Sequence, residues 1–447
     1  MDKLEEFIRE HEITEVECLV PDMSGIARGK IIPAEKLLRI LRERGMPLPE
    51  SVFLQTVTGD YPDGGLMSPL LGDVYMTPDH NTVRLVPWYQ EPTAQIICDA
   101  FYADDTPVPF SSRYLLKKIL GEYEKRGWRP VVAPELEFYL VSVNTDPDIP
   151  LLPPIGRSGR RESGRQAYGI DAVNEFDPIF EDVYDYCEEQ NIDIDTLSHE
   201  AGAAQIEVNF NHGDPLEVAD QAFLFKRTAR EVAMRHGVYA TFMAQPMQTE
   251  PGSAMHIHQS VVDSVTGKNI FSTDEGHDTK LFRHYVSGLQ RYLPSCLPLF
   301  APNVNSYRRF GHKETDSPIN VEWGLDNRTA GLRVPVSKPE NRRVENRLPG
   351  ADGNPYLAIT ATLACGLLGL IEGIEPTPQI KGSAYKKGHH LPTHMFDALR
   401  KFRSNKALQD LLGDKFIRVL AGIKETEYKA YNAVISSWER ENLLLNV

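Results

Sequence analysis

The segment PELEF, residues 134–138, is the most informative part of this sequence. It lies in an apolar run, residues 131–141, that predicts a β-strand. Successive side chains of a strand point to opposite faces, so Glu135 and Glu137 share one face. Two carboxylates this close repel each other unless a positive group lies between them. A solvated strand face and a cation site are both open interpretations of this segment.

Further acids and histidines occur shortly before or within strands predicted at 204–210 and 254–262, and in a later charged stretch. These residues are Glu200, Glu207, His256, His258 and Glu345. Alternation places the two histidines on one strand face, and the last glutamate stands among three arginines. Each group also has an ordinary interpretation, either a hydrogen-bonded core histidine or a strip of surface ion pairs.

The combination of carboxylates and imidazole, without thiolates, favours a hard or borderline divalent cation, here Mg²⁺ or Mn²⁺. Such an ion beside arginines suggests phosphoryl chemistry. The sequence contains no GxxxxGK[ST] segment. ATP would therefore have to be held by metal ions and basic side chains rather than by a P-loop.

A chain of 447 residues predicts more than one domain. The N-terminal part mixes short strands, helices and turns, which indicates a small α+β unit over residues 1–107. We place the larger unit at residues 108–447, just before a helix capped by Ser111-Ser112 that runs to Arg126. Its other predicted elements are helices at about 216–236, 278–293 and 355–373, a strand at 332–336 and a charged mobile loop at 156–165.

Composition limits the partners and the compartment. The formal net charge of −15 argues against a nucleic-acid partner, because phosphate backbones are bound by concentrated Lys and Arg. The five scattered cysteines fit reduced thiols in a cytoplasmic protein, and the N-terminus shows no secretory signal. The apolar run 356–374 contains polar residues and several glycines, so it predicts a buried helix rather than a membrane span.

The ordered motifs of the chain resemble those of glutamine synthetases. The motifs are PELEF, HEAGAAQIE, GSAMHIH, NSYRR, NRTAGLRVP, RRVENR and NPYLA. The N-terminal DMSGIARGKIIP looks like the small β-grasp domain of that family, which would precede a large α/β catalytic domain. The closing SSWERENLLLNV resembles the amine-ligase branches, including γ-glutamylpolyamine synthetases. The resemblance covers nearly the whole chain, and seven motifs in order are a specific signal.

The resemblance implies two metal sites and a role for each matching residue. The ion nearer glutamate would be held by Glu137, Glu200 and Glu207, and the ion bridging the ATP phosphates by Glu135, His256 and Glu345. The nucleotide would be contacted by His258, Ser260 and Arg343. Glutamate would be bound by Arg309, Arg347 and Gly252, and Arg328 would neutralise the transferring γ-phosphate.

The resemblance also implies an oligomer, a dodecamer of two stacked hexameric rings with each active site between two subunits. The N-terminal domain would supply an acid to its neighbour's site, and Asp60 or Asp63 lies in the matching loop. Either residue is equally well explained as a turn aspartate.

Two positions depart from the ammonium-using pattern, and a third bears on the amine pocket. Those enzymes carry Asn-Gly-Ser-Gly before the metal histidine, where this chain has Pro251 before Gly252. They also carry a flap glutamate, for which Asp316 is the nearest acid here and Glu314 the second. Tyr168 matches a tyrosine that lines the amine pocket, although a packed core tyrosine is the ordinary alternative.

These departures predict a ligase that joins the γ-carboxylate of glutamate to an amine, with polyamines such as putrescine the first substrate to consider. The reaction would use ATP and pass through γ-glutamyl phosphate. One alternative is an ordinary glutamine synthetase that uses ammonium. Another is a catalytically silent relative that acts as a structural or regulatory oligomer, which the presence of the full set of acids disfavours.

Overall fold

Two β-sheets organise the computed structural model, which describes residues 3–43, 45–62, 72–310, 317–388 and 390–447. The strands are β1 Glu15–Pro21, β2 Ala27–Pro33, β3 Met46–Pro49, β4 Asp73–Pro78, β5 Arg84–Leu85, β6 Thr93–Phe101, β7 Trp128–Ser142, β8 Ile194–His199, β9 Gln205–Phe210, β10 Val238–Thr241, β11 Met255–Asp263, β12 Trp323–Leu325, β13 Leu332–Val334 and β14 Val344–Asn346.

Helices cover the sheets and form most of the rest. They are α1 Lys3–Glu10, α2 Ala34–Glu43, α3 Ser112–Glu124, α4 Ile170–Asn174, α5 Asp177–Glu189, α6 Pro215–Arg235, α7 Lys280–Tyr292, α8 Leu297–Phe300, α9 Ser306–Arg309, α10 Pro355–Glu372, α11 Met395–Ser404, α12 Lys406–Leu412, α13 Asp414–Asn432 and α14 Ser437–Leu443. Short 3₁₀ turns lie at Glu50–Leu54, His80–Thr82, Leu293–Ser295, Pro339–Asn341 and Ala384–Lys387.

The first sheet has the order β2-β1-β6-β4-β3, with β5 also paired to β6. Its central strands β1 and β6 run parallel, and the other pairs are antiparallel. The second sheet has the order β12-β13-β14-β11-β7-β9-β8, with β10 on β7. The α+β class is confirmed by this mixture of helices and strands. The β-grasp assignment and the boundary between residues 107 and 108 stay predictions.

The central strand β7 separates the two sides of the second sheet. Leu136 and Phe138 are buried on the side covered by α6, where the Phe138 and Phe225 rings lie 6.2 Å apart. Glu135 and Glu137 alternate with them and point to the other side. The alternation predicted for this strand therefore separates an apolar packing face from an acidic face.

Helix α10 forms the core of the larger unit. Asn354 caps it, since its side chain accepts hydrogen bonds from the amides of Tyr356 and Leu357. Its composition and length alone would allow a membrane span, but 89% of its residues are buried inside the molecule, so the predicted buried helix is confirmed. It packs closely on α7 where Gly288 meets Gly369. A Cβ on Gly288 would lie 2.6 Å from the Cα of Gly369, so the helices can approach this closely only with glycine at Gly288.

Most predicted elements are present with shifted ends. The strand predicted at 332–336 ends at Val334, because Pro335 has no N–H for the ladder. Helix α7 begins later than predicted, after Thr279, whose side chain caps the amide of Phe282. Helix α3 begins after Ser111, but that side chain makes no capping hydrogen bond, so its predicted capping role is wrong.

One buried arginine joins the first sheet to the larger unit. Arg113, at the start of α3, has a side chain that is 1% exposed. Its guanidinium donates to Asp220 on α6 at 2.9 Å, to Asp99 on β6 at 2.9 Å and to Asp79 at 2.8 Å. Asp220 also accepts from the hydroxyl of Tyr356 at 2.6 Å. Asp79 and Asp99 also form ion pairs with Lys117, whereas within the described residues the ion pair of Asp220 is with Arg113 alone.

We expect Arg113→Met to destabilise the protein by about 3–5 kcal/mol, because it leaves the buried Asp220 without its counter-charge. The measurement is the denaturant or thermal unfolding midpoint. Arg126→Met is the control, since Arg126 is 34% exposed and pairs with Glu122 on the surface. That change should cost less than about 1 kcal/mol. Equal effects of the two substitutions would show that the Arg113 network does not hold the two parts together.

Candidate active site

The strand register brings the predicted metal ligands together on one face of the second sheet. Each β-pairing sets two of them side by side. The pairs are Glu135 with His256, Glu137 with Glu207, and Glu345 with His258. Glu200 follows β8 and joins the same face. Residues separated by more than two hundred positions in the chain therefore form one acidic patch.

The first group is Glu137, Glu200 and Glu207, whose ligand atoms all lie within 4.8 Å of one another. This is the set predicted for the ion nearer glutamate. Burial and the charge of Glu200 raise the pKa of Glu137 to about 8. Burial and the charge of Glu135 raise the pKa of Glu207 to about 9. The three carboxylates cannot all be ionised at neutral pH without a cation between them.

The second group surrounds Glu135. The Nδ1 atom of His256 lies 3.4 Å from Glu135 Oε2 and 3.8 Å from Glu345 Oε1. His258 lies still closer, with its Nε2 atom 2.8 Å from Glu135 Oε1. Compact sets of ligand atoms are formed by Glu135, Glu207 and His256, and by Glu135, His258 and Glu345. The structure therefore places His258, predicted only as a nucleotide contact, among the metal-binding candidates as well.

These residues fit a divalent cation. His256 Nδ1 is buried and has no hydrogen-bond partner within the described part of the chain. Burial and the charge of Arg347 lower the pKa of His256 to about 4, so the ring is neutral and offers a lone pair. Carboxylate oxygens suit Mg²⁺ and Mn²⁺, and imidazole also suits softer divalent ions, so this donor set indicates a divalent cation.

Glu345 differs from the other acids because arginines surround it. Arg347 forms an ion pair with its Oε1 atom, and Arg333 donates to its Oε2 atom at 2.8 Å. Burial opposes ionisation, but the charge of Arg347 together with the nearby histidines holds the pKa of Glu345 at about 2. The sequence interpretation did not single out Arg333. Its place directly opposite Glu345 in the β13–β14 register is visible only in the folded sheet.

A cleft of about 450 Å³ opens beside the second group. The residues predicted to contact ATP all line it, and they are His258, Ser260 and Arg343. Arg343 Nε donates to His258 Nδ1 at 3.2 Å, which links the cation of the cleft to the metal-binding face. Glu135 also lines the cleft. Its volume is within the range of small-molecule sites.

Arg309 lies at the other end of the acidic face. Its guanidinium is buried and donates to the backbone oxygens of Leu348 at 2.8 Å and Arg347 at 2.9 Å. Gly252 makes room for it, because a Cβ there would lie 2.8 Å from Arg309 Cγ. The structure therefore brings together the residues predicted to bind glutamate, and it positions Arg309 through the backbone that follows Glu345.

Other predicted residues do not reach this face within one chain. Arg328 is exposed in a turn after β12, and Asp60 is exposed with its carboxylate accepting from the Thr58 hydroxyl at 2.8 Å. In the described residues, no hydrogen bond or ion pair joins either of them to the acidic patch. Asp63, Asp316 and Glu314 lie outside the described residues.

Tyr168 is not a core tyrosine, because 67% of the residue is exposed and its φ is 59°. Its amide donates to the backbone oxygen of His199 at 2.9 Å, one residue before Glu200. The packed-core alternative is therefore wrong. A place for this side chain in the amine pocket stays a prediction.

Side-chain oxygens hold the turn that follows Glu200. Each of its four successive backbone amides donates a hydrogen bond to one of them. The amide of Ala201 donates to Glu200, that of Gly202 to Gln205, that of Ala203 to Glu250 and that of Ala204 to Glu162. Glu162 lies on the loop predicted to be mobile, yet its side chain is 11% exposed and also contacts His199 Nε2 at 3.0 Å. The sequence interpretation missed Glu162, because its partners are about forty residues away.

Comparison with known proteins assigns the chain to a family. The profile of the glutamine synthetase catalytic domain matches residues 109–443. The chain belongs to the glutamine synthetase family. The γ-glutamylputrescine synthetase PuuA of Escherichia coli K12 is 34% identical over 440 residues, covering 96% of this chain and 92% of that protein. A glutamate–isopropylamine ligase of Pseudomonas is 31% identical over 452 residues, covering 98% and 96%.

A solved structure described as apo GmaS without ligand superposes with a TM-score of 0.85 at 26% identity, covering 99% of this chain and 100% of that one. Membership of the glutamine synthetase family confirms the predicted enzyme class, an ATP-dependent ligase that forms carbon–nitrogen bonds. The relatives also confirm the predicted resemblance to the γ-glutamyl–amine ligase branch of the family.

The raised pKa values predict pH-dependent metal binding. A carboxyl with a raised pKa favours the metal-free fold at low pH, and this contribution is lost as the pH rises through about 8 and 9, the values of Glu137 and Glu207. A divalent cation displaces these protons, so its affinity should rise between pH 6 and 9, roughly tenfold per pH unit for each proton displaced. The increase in Tm at a fixed Mg²⁺ concentration should grow over that range. A pH-independent increase would contradict the assignment.

Glu162→Ala should weaken divalent-cation binding by roughly tenfold or more, the effect expected when a group that orients a metal ligand is lost. The reason is that Ala204 and His199 lose their common acceptor beside Glu200. Titration calorimetry with Mn²⁺ measures the loss. Glu162→Gln keeps one acceptor oxygen and should lose less, and Glu189→Ala, an exposed acid on α5, should change nothing. Unaltered Mn²⁺ affinity in Glu162→Ala would show that the Glu200 turn holds its shape without it.

Proposed function

We propose that this chain joins the γ-carboxylate of L-glutamate to an organic amine at the expense of ATP. The observation that carries the proposal is the acidic face of the second sheet, where Glu137 and Glu207 have raised pKa values and where a cleft lined by Arg343 adjoins the face. Buried like charges are costly unless cations separate them. Cations bound on this face, next to a cleft, would allow two anionic substrates to bind close to each other.

The proposed reaction has two steps. A γ-carboxylate oxygen of glutamate attacks the γ-phosphorus of ATP, the bond to the β-phosphate oxygen breaks, and ADP leaves. The amine nitrogen of the acceptor then attacks the acyl carbon of γ-glutamyl phosphate, inorganic phosphate leaves, and the nitrogen loses a proton. Activation is needed because a free carboxylate is a very poor acyl donor at neutral pH.

Different residues of the acidic face would have different roles in this reaction. Glu137, Glu200 and Glu207 would hold one divalent cation, and Glu135 and Glu345 would hold another with His256 or His258. When bound, such cations neutralise the phosphate and carboxylate charges that otherwise repel. Arg343 in the cleft and Arg333 beside Glu345 add fixed positive charge on the nucleotide side. Preorganised charge of this kind stabilises phosphoryl transfer without reorganisation.

The acceptor we propose is a primary amine larger than ammonium, with putrescine the first candidate. Two relatives of this chain carry names that specify putrescine and isopropylamine as partners of glutamate. The sequence supports the same choice, since Pro251 replaces an asparagine of the ammonium-using enzymes and no glutamate matches their flap residue. A longer amine recovers affinity by burying methylene groups, at about 0.8 kcal/mol each.

The assembly we propose is a dodecamer of two hexameric rings in the cytoplasm. Its support in the structure is the C-terminal segment after α13, where apolar side chains lie open. Trp438 is 65% exposed, Leu444 76%, Leu445 91% and Val447 95%. A cluster of exposed apolar side chains indicates an interaction surface. Asp60, exposed on the first domain, is available to a neighbouring subunit's site, and the buried free cysteines fit a reducing compartment.

The test is release of ADP by protein whose mass has first been measured by light scattering. ADP should appear only when glutamate, Mg²⁺ or Mn²⁺ and an amine are all present, and kcat/KM should be higher for putrescine or isopropylamine than for ammonium. Glu207→Gln should reduce turnover on the order of 10²-fold or more, because it removes one carboxylate of the metal group.

Four results would contradict this proposal. Release of AMP and pyrophosphate would indicate an adenylate mechanism. Ammonium as the best acceptor would identify an ordinary glutamine synthetase. An absence of turnover with every amine would favour the silent oligomer, and an active monomer would exclude the shared site.

A further inference from the structure

A second cavity, of about 460 Å³, lies on the side of the second sheet opposite the acidic face. Phe242 lines it and packs against Phe138, with ring centroids 5.3 Å apart. Phe138 points away from Glu135 and Glu137 because side chains alternate along β7. The walls of this cavity and of the nucleotide cleft share no residue. The cavity is therefore separate from the catalytic face.

Two cations of helix α6 face this cavity from positions i and i+4. Lys226 Nζ lies 5.4 Å and Arg230 Cζ 5.1 Å from the centroid of the Phe242 ring. Lys226 is 7% exposed and donates to the backbone oxygen of Gly353 at 2.7 Å. Within the described residues, Arg230 has no carboxylate partner and no hydrogen bond, and the residue as a whole is exposed. Like charges at this spacing repel each other on a helix.

The remaining charged groups of the cavity are already engaged. Arg227 pairs with Glu17 and donates to Gln95 at 2.9 Å. Asp352 accepts from Asn303 at 2.7 Å and from Ser306 at 2.5 Å, so only part of its charge offsets Lys226. Burial and the charge of Arg230 lower the pKa of Lys226 to about 7, as expected for a cation without a full counter-charge.

We propose that this cavity binds a small organic or inorganic oxyanion, a carboxylate or a phosphate group, between Lys226 and Arg230. An oxyanion would accept from both cations and relieve their repulsion. The other walls are apolar or small, including Ile26, Phe242 and Met243, and they leave room for a short carbon skeleton.

A ligand in this cavity would contact two parts of the molecule. Its walls include residues 24–26 of the turn between β1 and β2, the first residue of β2, and α6 of the larger unit, so the anion would hold these parts together. Asn303, on the cavity wall, and Ser306, the first residue of α9, both donate hydrogen bonds to Asp352. Helix α9 ends at Arg309, which lies at the catalytic face. The ligand is therefore an effector rather than a substrate. This inference does not depend on the amine proposed above.

The test uses the whole, metal-free protein in excess chelator, where the acidic face repels anions. Inorganic phosphate and succinate are the two probes, titrated separately by calorimetry and by the change in Tm. At least one should bind saturably without a divalent cation, and Arg230→Gln should weaken it about tenfold or more, since a charge-assisted hydrogen bond is lost. Arg230 is an exposed residue, so we expect this variant to keep the fold, and the unliganded Tm checks it.

Two matched variants locate the anion. Arg400→Gln removes a cation that is 73% exposed on α11 and should leave binding unchanged. Arg343→Gln removes the cation of the nucleotide cleft and should also leave it unchanged. Loss of binding in Arg343→Gln with retention in Arg230→Gln would place the anion in the cleft and overturn the proposal. Failure of both probes to bind would overturn it as well.

Discussion

The repulsion between carboxylates on the acidic face is the constraint around which the active site is built. Glu137 and Glu207 stand opposite each other across β7 and β9, and both hold their protons more tightly than free acids do. Only a rigid sheet keeps such groups together, because a flexible segment would move them apart into water. Cations that bind between these carboxylates would stabilise the folded protein, because their binding free energy adds to the stability of the metal-free fold.

The packing behind the sheet provides that rigidity. The face of β7 opposite the acids is filled by Phe138 and α6, and α10 is buried beside α7 at a contact that only glycine permits. Arg113 fastens the first sheet to the same helices through Asp79, Asp99 and Asp220. A large buried ion network is poor evidence of net stability. It does tie the first sheet to α6, and Asp60 is exposed on a loop of the same N-terminal part of the chain.

The acids of this chain serve two different purposes. Glu137, Glu200 and Glu207 face one another and call for a cation, whereas Glu162 and Glu250 accept backbone amides and shape the turn beside them. The same side chain thus acts as ligand or as support according to its neighbours. On the opposite side of the sheet, Lys226 and Arg230 are two neighbouring cations whose repulsion an anion would relieve. The two faces therefore suit ligands of opposite charge.

The sequence by itself determined the elements and the side chains that share a face. Period-two alternation predicted that Glu135 lies beside Glu137 and His256 beside His258, because that geometry is local to a strand. It also identified α10 as a buried helix and, through the ordered motifs, the family. The end of β13 at Pro335 and the uncapped start of α3 show that element boundaries depend on single hydrogen bonds.

Only the tertiary structure decided which strands are neighbours and in which register. That pairing places His258 against Glu135 and Arg333 against Glu345, and it lets Glu162 support the turn of Glu200. Each contact joins residues brought together by the packing of the whole chain. Their cost in chain entropy is repaid only by the complete core, so no local pattern in the sequence reveals them.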